Sequence, residues 1–297
     1  MVTPWLWAVF TVIAAFAQTL RNAMQRELTA TLGTVGATHV RFLFGFPFVL
    51  ISLAGVMLAT GTPLPRPGWI FWPWAILGAG AQVAATALML AAMGERSFVV
   101  TIAYIKTEPI QVAVFGLVFL GDIVTLPMMA AIIVATAGVV IMSTKRGGLI
   151  GGVGPTLLGL ASGGLFALSA IGYRGGILSL ELSNYVMTAT FTLAVGIAMQ
   201  AVLLSIYLGL RSPEVLYAIL RAWKPSLSAG FAGAVASQFW FLAFALATAA
   251  SVRTLALIEV LFAQLIARFA FGQRTSAREA AGMLLVVCGV GLLLWAY

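Results

Sequence analysis

Residues 103–122 read AYIKTEPIQVAVFGLVFLGD, and residues 254–273 read TLALIEVLFAQLIARFAFGQ. Laid over one another, the two stretches bring Glu108 onto Glu259 and Gly121 onto Gly272, an offset of 259 − 108 = 151 residues. The same offset, extended outward without a gap, pairs Pro4 with Pro155, Gly45 with Gly196, Trp72 with Trp223 and Gly138 with Gly289. In a chain of 297 residues this reads as two copies of one unit, expected at 1–145 and 152–297 with a hinge over Lys145 to Gly152. Five membrane helices per copy turn the second copy over in the bilayer. An inverted repeat of this kind is a hallmark of secondary transporters.

Composition sets the solvent. The chain is 62% hydrophobic and 8% charged, with a mean hydropathy of +1.09, against roughly 45–50% apolar and 25% charged residues in a soluble domain. Apolar runs of about 20 residues, each sufficient to cross the hydrocarbon core, recur along the chain. The expected fold is therefore all-α, a polytopic membrane protein with ten transmembrane helices arranged as two inverted five-helix repeats. The helices are expected near 5–27, 36–59, 69–93, 97–120, 126–144, 153–174, 182–209, 225–247, 250–271 and 277–296. Turn chemistry marks the breaks: three prolines within Gly61 to Gly68, Gly121-Asp122, paired glycines after Arg146, and Ser212-Pro213. Between Pro213 and Lys224 apolar and charged residues alternate at helical spacing, which suits a helix lying in the interface. Seven tryptophans near helix ends (Trp5, Trp7, Trp69, Trp72, Trp74, Trp223 and Trp295) read as an aromatic belt, whereas Trp240 lies inside a span. The start MVTPWLW lacks a basic region and cleavage site, so the first span is expected to be retained.

The net charge of +8 would suggest nucleic acid in a soluble protein. Here the basic residues lie mostly at span ends, which points to orientation instead, and no nucleic-acid partner is expected. Loops after odd-numbered helices hold nine Lys and Arg and those after even-numbered helices two, a count that places both termini outside.

An ionisable side chain at the bilayer centre costs at least ~2.5–3.5 kcal/mol, so each one needs a reason. Glu108, eleven residues into the expected fourth helix, and Glu259, its counterpart in the ninth, are the two that matter. They read either as gating or proton-coupling groups or as protonated glutamates that fix helix packing. Lys106 stands on a different face from Glu108 and is expected to pair across helices, as an internal ion pair or as an attractor for a substrate carboxylate. Tyr104 and Gln111 share the Glu108 face. Gln18, Asn22 and Gln25 form a polar face on the first helix, with Arg21 beside it. Gln82 and Gln238 are milder polar insertions, suited to substrate contact or to interhelical bonding. Trp240 with Phe241 and Phe244 reads either as an aromatic wall for a ligand or as a lipid-facing surface. His39 and Arg41 are expected as anchors at the interface. Substrate contact is thus expected from Gln18, Asn22, Gln82, Tyr104, Lys106, Glu108, Gln238, Trp240 and Phe241.

Other chemistry is missing from the sequence. It contains no G-x-x-x-x-G-K-[ST] loop for ATP, one histidine and one cysteine give no metal centre, and the lone aspartate, Asp122, sits in a turn where it forms no Ser/His/Asp set. No enzymatic activity, metal or cofactor is expected.

Several of these residues carry a family likeness. Arg41-Phe42-Leu43-Phe44-Gly45-Phe46, Glu108-Pro109 and Leu120-Gly121-Asp122 resemble signatures of the drug/metabolite transporter superfamily, in its EamA-like branch. Asp122 stands where that family has glutamate; in the second half Gln273 replaces it and Val260 replaces the proline. The segment Ser97-Phe98-Val99-Val100 through Ile105-Lys106-Thr107-Glu108-Pro109 is similar to the aromatic amino-acid exporters of the YddG group. The resemblance implies ten spans in a bacterial-type inner membrane and both termini in the cytoplasm, against the charge count. It also implies export of aromatic and other neutral amino acids, with toxic organic cations as further cargo. The chain is expected to act as a monomer by alternating access, with the lipid bilayer and a small-molecule substrate as its partners. A sugar-phosphate or nucleotide-sugar carrier is the alternative substrate class, and a non-transporting scaffold or receptor the alternative of another kind.

Overall fold

The computed structural model describes residues 4–95, 104–143, 153–271 and 275–297. The segment Ser97 to Val100, the hinge at Lys145 to Gly152 and Gln273 lie outside the described residues, as does the side chain of Gln25. Among the described residues all regular structure is helical. In chain order the helices are α1 (Leu6–Leu43), α2 (Phe46–Thr60), α3 (Phe71–Glu95), α4 (Glu108–Phe115), α5 (Leu126–Ser143), α6 (Val153–Leu178), α7 (Tyr185–Arg211), α8 (Pro213–Arg221), α9 (Trp223–Leu246), α10 (Ala249–Leu255), α11 (Glu259–Phe271) and α12 (Ala277–Ala296). A wider π turn, Gly116–Leu120, extends α4, and a 3-10 turn, Ala256–Ile258, joins α10 to α11.

Among the described residues five stretches are long and apolar enough to cross a membrane: Thr31–Thr60, Thr156–Leu178, Tyr185–Arg211, Trp223–Leu246 and Ala277–Ala296. Large apolar side chains on them remain uncovered by protein, Leu58 and Leu210 among them at 87% and 79% exposure. Hydrocarbon solvates such faces; water does not. The chain is a membrane protein.

The expected first and second helices join without a loop. Gly33 (φ 66°, ψ 175°) interrupts the helical backbone inside α1, a left-handed conformation that favours glycine. A second interruption at Phe44–Gly45 precedes Pro47, which is tolerated in the first turn of α2 because the missing N–H has no helical partner there. Ser276 starts α12 with a capping box, its hydroxyl accepting from Glu279 N–H while the Glu279 carboxylate accepts from Ser276 N–H at 2.7 Å.

The chain divides into two compact units, one of Met1–Ala79 with Gly172–Leu246 and the other of Gly80–Ile171 with Ala247–Tyr297. Each draws on both halves of the sequence. In the first unit α1 packs along α9, and α7 lies against α2 and α9. The amphipathic α8 inserts Ile219, fully buried, among Leu28, Leu32, Val40 and Leu208 while Tyr217 and Leu220 stay exposed. In the second unit α5 packs along α12, and α10 lies against α4, α5 and α12. The α5 and α12 backbones approach so closely that a Cβ on Gly138 would sit 2.6 Å from the Gly282 carbonyl oxygen, and one on Gly289 2.6 Å from Ala135 N. Small residues give membrane helices this intimacy, where apolar burial supplies little drive for association.

Three expectations about depth are corrected. Trp7 is not a belt residue: it is 1% exposed and packed inside the first unit, while Trp5, Trp69, Trp72, Trp223 and Trp295 are open as a belt requires. His39 is no interface anchor either, being fully buried with Nε2 3.0 Å from Ser205 Oγ on α7. Trp240, Phe241 and Phe244 do not face lipid; all three are buried in the first unit.

Candidate functional site

Glu108 was expected well inside a continuous helix. Instead it opens one. Tyr104 and Ile105 are helical, Lys106 and Thr107 form a turn, and α4 begins at Glu108 with Pro109 in its first turn. The turn is tied locally, Thr107 Oγ1 donating to Tyr104 O at 2.7 Å and Gln111 Nε2 reaching Thr107 Oγ1 at 3.3 Å. At the position 151 residues further on, the 3-10 turn over Ala256–Ile258 breaks the helix again, and α11 begins at Glu259. Both glutamates thus stand in the first turn of a restarted helix, where unpaired N–H groups favour a negative charge.

The second unit brings four charged side chains to these breaks. Arg253 on α10 grips Glu108 with both prongs of its guanidinium, Nε to Oε1 and Nη2 to Oε2, each at 2.7 Å. Lys106 pairs through Nζ with Glu259 Oε1. The Glu108 side chain is 8% exposed and its partner Arg253 21%. Two cations and two carboxylates cancel, and the four groups share a small cleft with Pro109, Ala256 and Leu257. Planar bidentate pairing is the strongest form of the arginine–carboxylate contact. The cross-helix partner expected for Lys106 is therefore Glu259. Arg253, a lone arginine six residues before Glu259 inside an apolar run, was missed by the sequence reasoning.

The remaining expected residues separate. Tyr104 and Gln82 lie in the second unit, Tyr104 with its Cβ 2.8 Å from where a Cβ on Gly159 would stand, and Gln82 with its carbonyl accepting from Thr86 Oγ1 at 2.9 Å. Gln18, Asn22, Gln238, Trp240 and Phe241 belong to the first unit. There Trp240 Nε1 donates to Gln18 Oε1 at 3.1 Å, joining α9 to α1. Gln238 donates to Thr190 Oγ1 at 2.8 Å and accepts from Ser52 Oγ at 3.3 Å, so it ties α9 to α7 and α2. The Phe241 and Tyr173 rings lie 4.7 Å apart, with Tyr173 seated in a slot that Gly78 and Gly196 leave open. Asn22 Oδ1 accepts from Arg21 Nη2 at 2.7 Å. Arg41, expected as an anchor, is partly exposed in the last turn of α1 and lays its stem over Gly233 of α9.

No family model matches the chain, and no curated protein matches it. The fold itself is a known one. A solved structure described only as the crystal structure of a protein superposes with a TM-score of 0.74 at 17% identity, covering 99% of this chain and 96% of its own.

Proposed function

We propose that the chain is a secondary transporter of a bacterial-type inner membrane. In this reading it is a member of the EamA-like drug/metabolite transporters with ten spans in two inverted repeats, acts as a monomer and uses no cofactor. Its cargo is a small metabolite, with aromatic and other neutral amino acids foremost, exported by alternating access. The observation that supports this best is the pair of helix breaks one repeat apart, each restarting on a glutamate neutralised by a cation from the other broken segment. Discontinuous helices with charged groups at their restarts are where secondary transporters bind and gate. A scaffold has no use for a polar break in hydrocarbon, which costs stability at every unsatisfied group. Glu108 and Glu259 serve as the gate or coupling groups: opening the cleft separates each carboxylate from its cation, and closing it restores the pair.

Purified protein in liposomes is expected to release preloaded phenylalanine faster than protein-free vesicles. No flux of any amino acid above that background overturns the substrate class. Glu108→Gln keeps the shape of the side chain and removes its titration, so coupled flux is expected to lose its response to an imposed proton gradient. An unaltered response leaves Glu108 with a packing role only.

A further inference from the structure

The first unit brings two arginine side chains together. A Cβ on Gly233 of α9 would stand 3.1 Å from Arg41 Cγ and 3.3 Å from Arg21 Cδ, so both arginine stems rest over the same glycine. Arg21 is 7% exposed. One of its terminal nitrogens is used on Asn22, its Nε is buried without a hydrogen-bond partner, and among the described residues no carboxylate is paired with it. In the second unit, by contrast, Lys106 and Arg253 are each paired with a carboxylate. Like charges side by side in a membrane segment are costly unless an anion joins them.

The surroundings say what kind of anion. Gly233 and Trp240 lie on one face of α9, seven residues or about 10 Å apart. At the Trp240 end stand the indole held by Gln18 and the Tyr173–Phe241 ring pair. At the arginine end Asn22 is exposed and Arg41 partly so, which gives a solute access. A guanidinium pair at one end and aromatic rings at the other suit a compact oxyanion joined to an apolar body.

We infer that Arg21 and Arg41 form an anion subsite for the carboxylate of an aromatic solute, with Trp240, Phe241 and Tyr173 serving its ring. As a substrate site this rests on the transport reading above and narrows it: a free carboxylate is required, and organic cations are repelled.

The test is binding to the purified full-length protein in detergent, measured by calorimetry, with 3-phenylpropionate, phenethylamine and inorganic phosphate as probes. 3-Phenylpropionate binds and phenethylamine does not. Arg21→Gln weakens 3-phenylpropionate at least about tenfold, the loss of one charge-assisted contact, while the unliganded variant melts no lower than the parent because a buried like-charge contact has gone. Arg21→Lys falls between the two. If Arg21→Gln does not fold, Arg41→Gln is read the same way. Equal binding of phenethylamine, unchanged affinity in the variants, or displacement of 3-phenylpropionate by equimolar phosphate overturns the subsite. Arg21-dependent binding without flux in liposomes overturns transport and leaves the subsite; flux of phenylalanine and phenylalaninamide at equal rates does the reverse.

Discussion

Replacing Arg253 by methionine, close in length and uncharged, removes both hydrogen bonds to Glu108, each 2.7 Å long. The carboxylate left behind is 8% exposed, so water replaces little of what is lost. Breaking a buried pair by deleting one member costs about 3–5 kcal/mol. Arg253 keeps 21% of its side chain exposed, which moves the expectation to about 3–4 kcal/mol. At roughly 2–4 °C per kcal/mol, the range of the larger single domains, melting in detergent falls by about 6–16 °C. The double variant Arg253→Met/Glu108→Leu leaves neither charge behind and is expected within about 1–2 kcal/mol of the parent, since apolar replacement of a whole buried pair is often neutral. The single and double variants therefore form a cycle with a coupling energy above about 1.5 kcal/mol. Thermal unfolding followed by the intrinsic tryptophan signal reads all four proteins. Additive losses, or a single variant that melts with the parent, refute the claim that this pair holds α4 to α10.

Other sites predict distinct outcomes. Gly138→Ala places its Cβ against the Gly282 carbonyl oxygen at 2.6 Å and is expected to destabilise by about 1–3 kcal/mol through forced separation of α5 and α12. Gly291→Ala, whose Cβ would meet nothing within 4 Å, leaves the melting temperature unchanged. Trp240→Phe deletes the donor to Gln18 and is expected to cost about 1 kcal/mol in thermal unfolding. His39→Leu removes a fully buried ring and strands the Ser205 hydroxyl, with an expected loss of about 1–3 kcal/mol in the same assay, whereas His39→Asn recovers part of it.

The sequence made the long spans legible because hydrocarbon imposes their length and turn residues mark their ends. The fifth helix was expected over 126–144 and runs Leu126–Ser143; the tenth was expected over 277–296 and runs Ala277–Ala296. The breaks beside the glutamates were not legible. Pro109 is the kind of residue that opens a helix, but it sits in an apolar run that reads as continuous, and Val260, 151 residues on, gives no local mark of the break before Glu259. There the interruption is a tertiary matter. Arg253 was hidden for a related reason, since averaging hydropathy over a window conceals a single cation. Trp7 and His39 were misplaced because distance along the chain from a span end says little about which neighbours cover a side chain.

The charged cluster also explains why chemistry and symmetry part company. The carboxylates occupy equivalent positions 151 residues apart, but their cations do not: Lys106 lies two residues before Glu108, Arg253 six before Glu259. Neither cation pairs with the carboxylate nearest it in sequence. Lys106 holds Glu259, and Arg253 holds Glu108. Each carboxylate gains from the N-terminus of the helix it opens, a contribution of about 0.3–1 kcal/mol that is too small to keep it charged in hydrocarbon alone. The cation must supply the rest, and in each pair it comes from a distant part of the chain. Lys106 is a point charge that holds its partner through one contact, whereas Arg253 holds two oxygens in a plane. The two pairs are therefore unequal in strength. On the transport reading proposed above, the lysine pair is expected to yield first as the cleft opens, with the arginine fork keeping α4 and α10 joined.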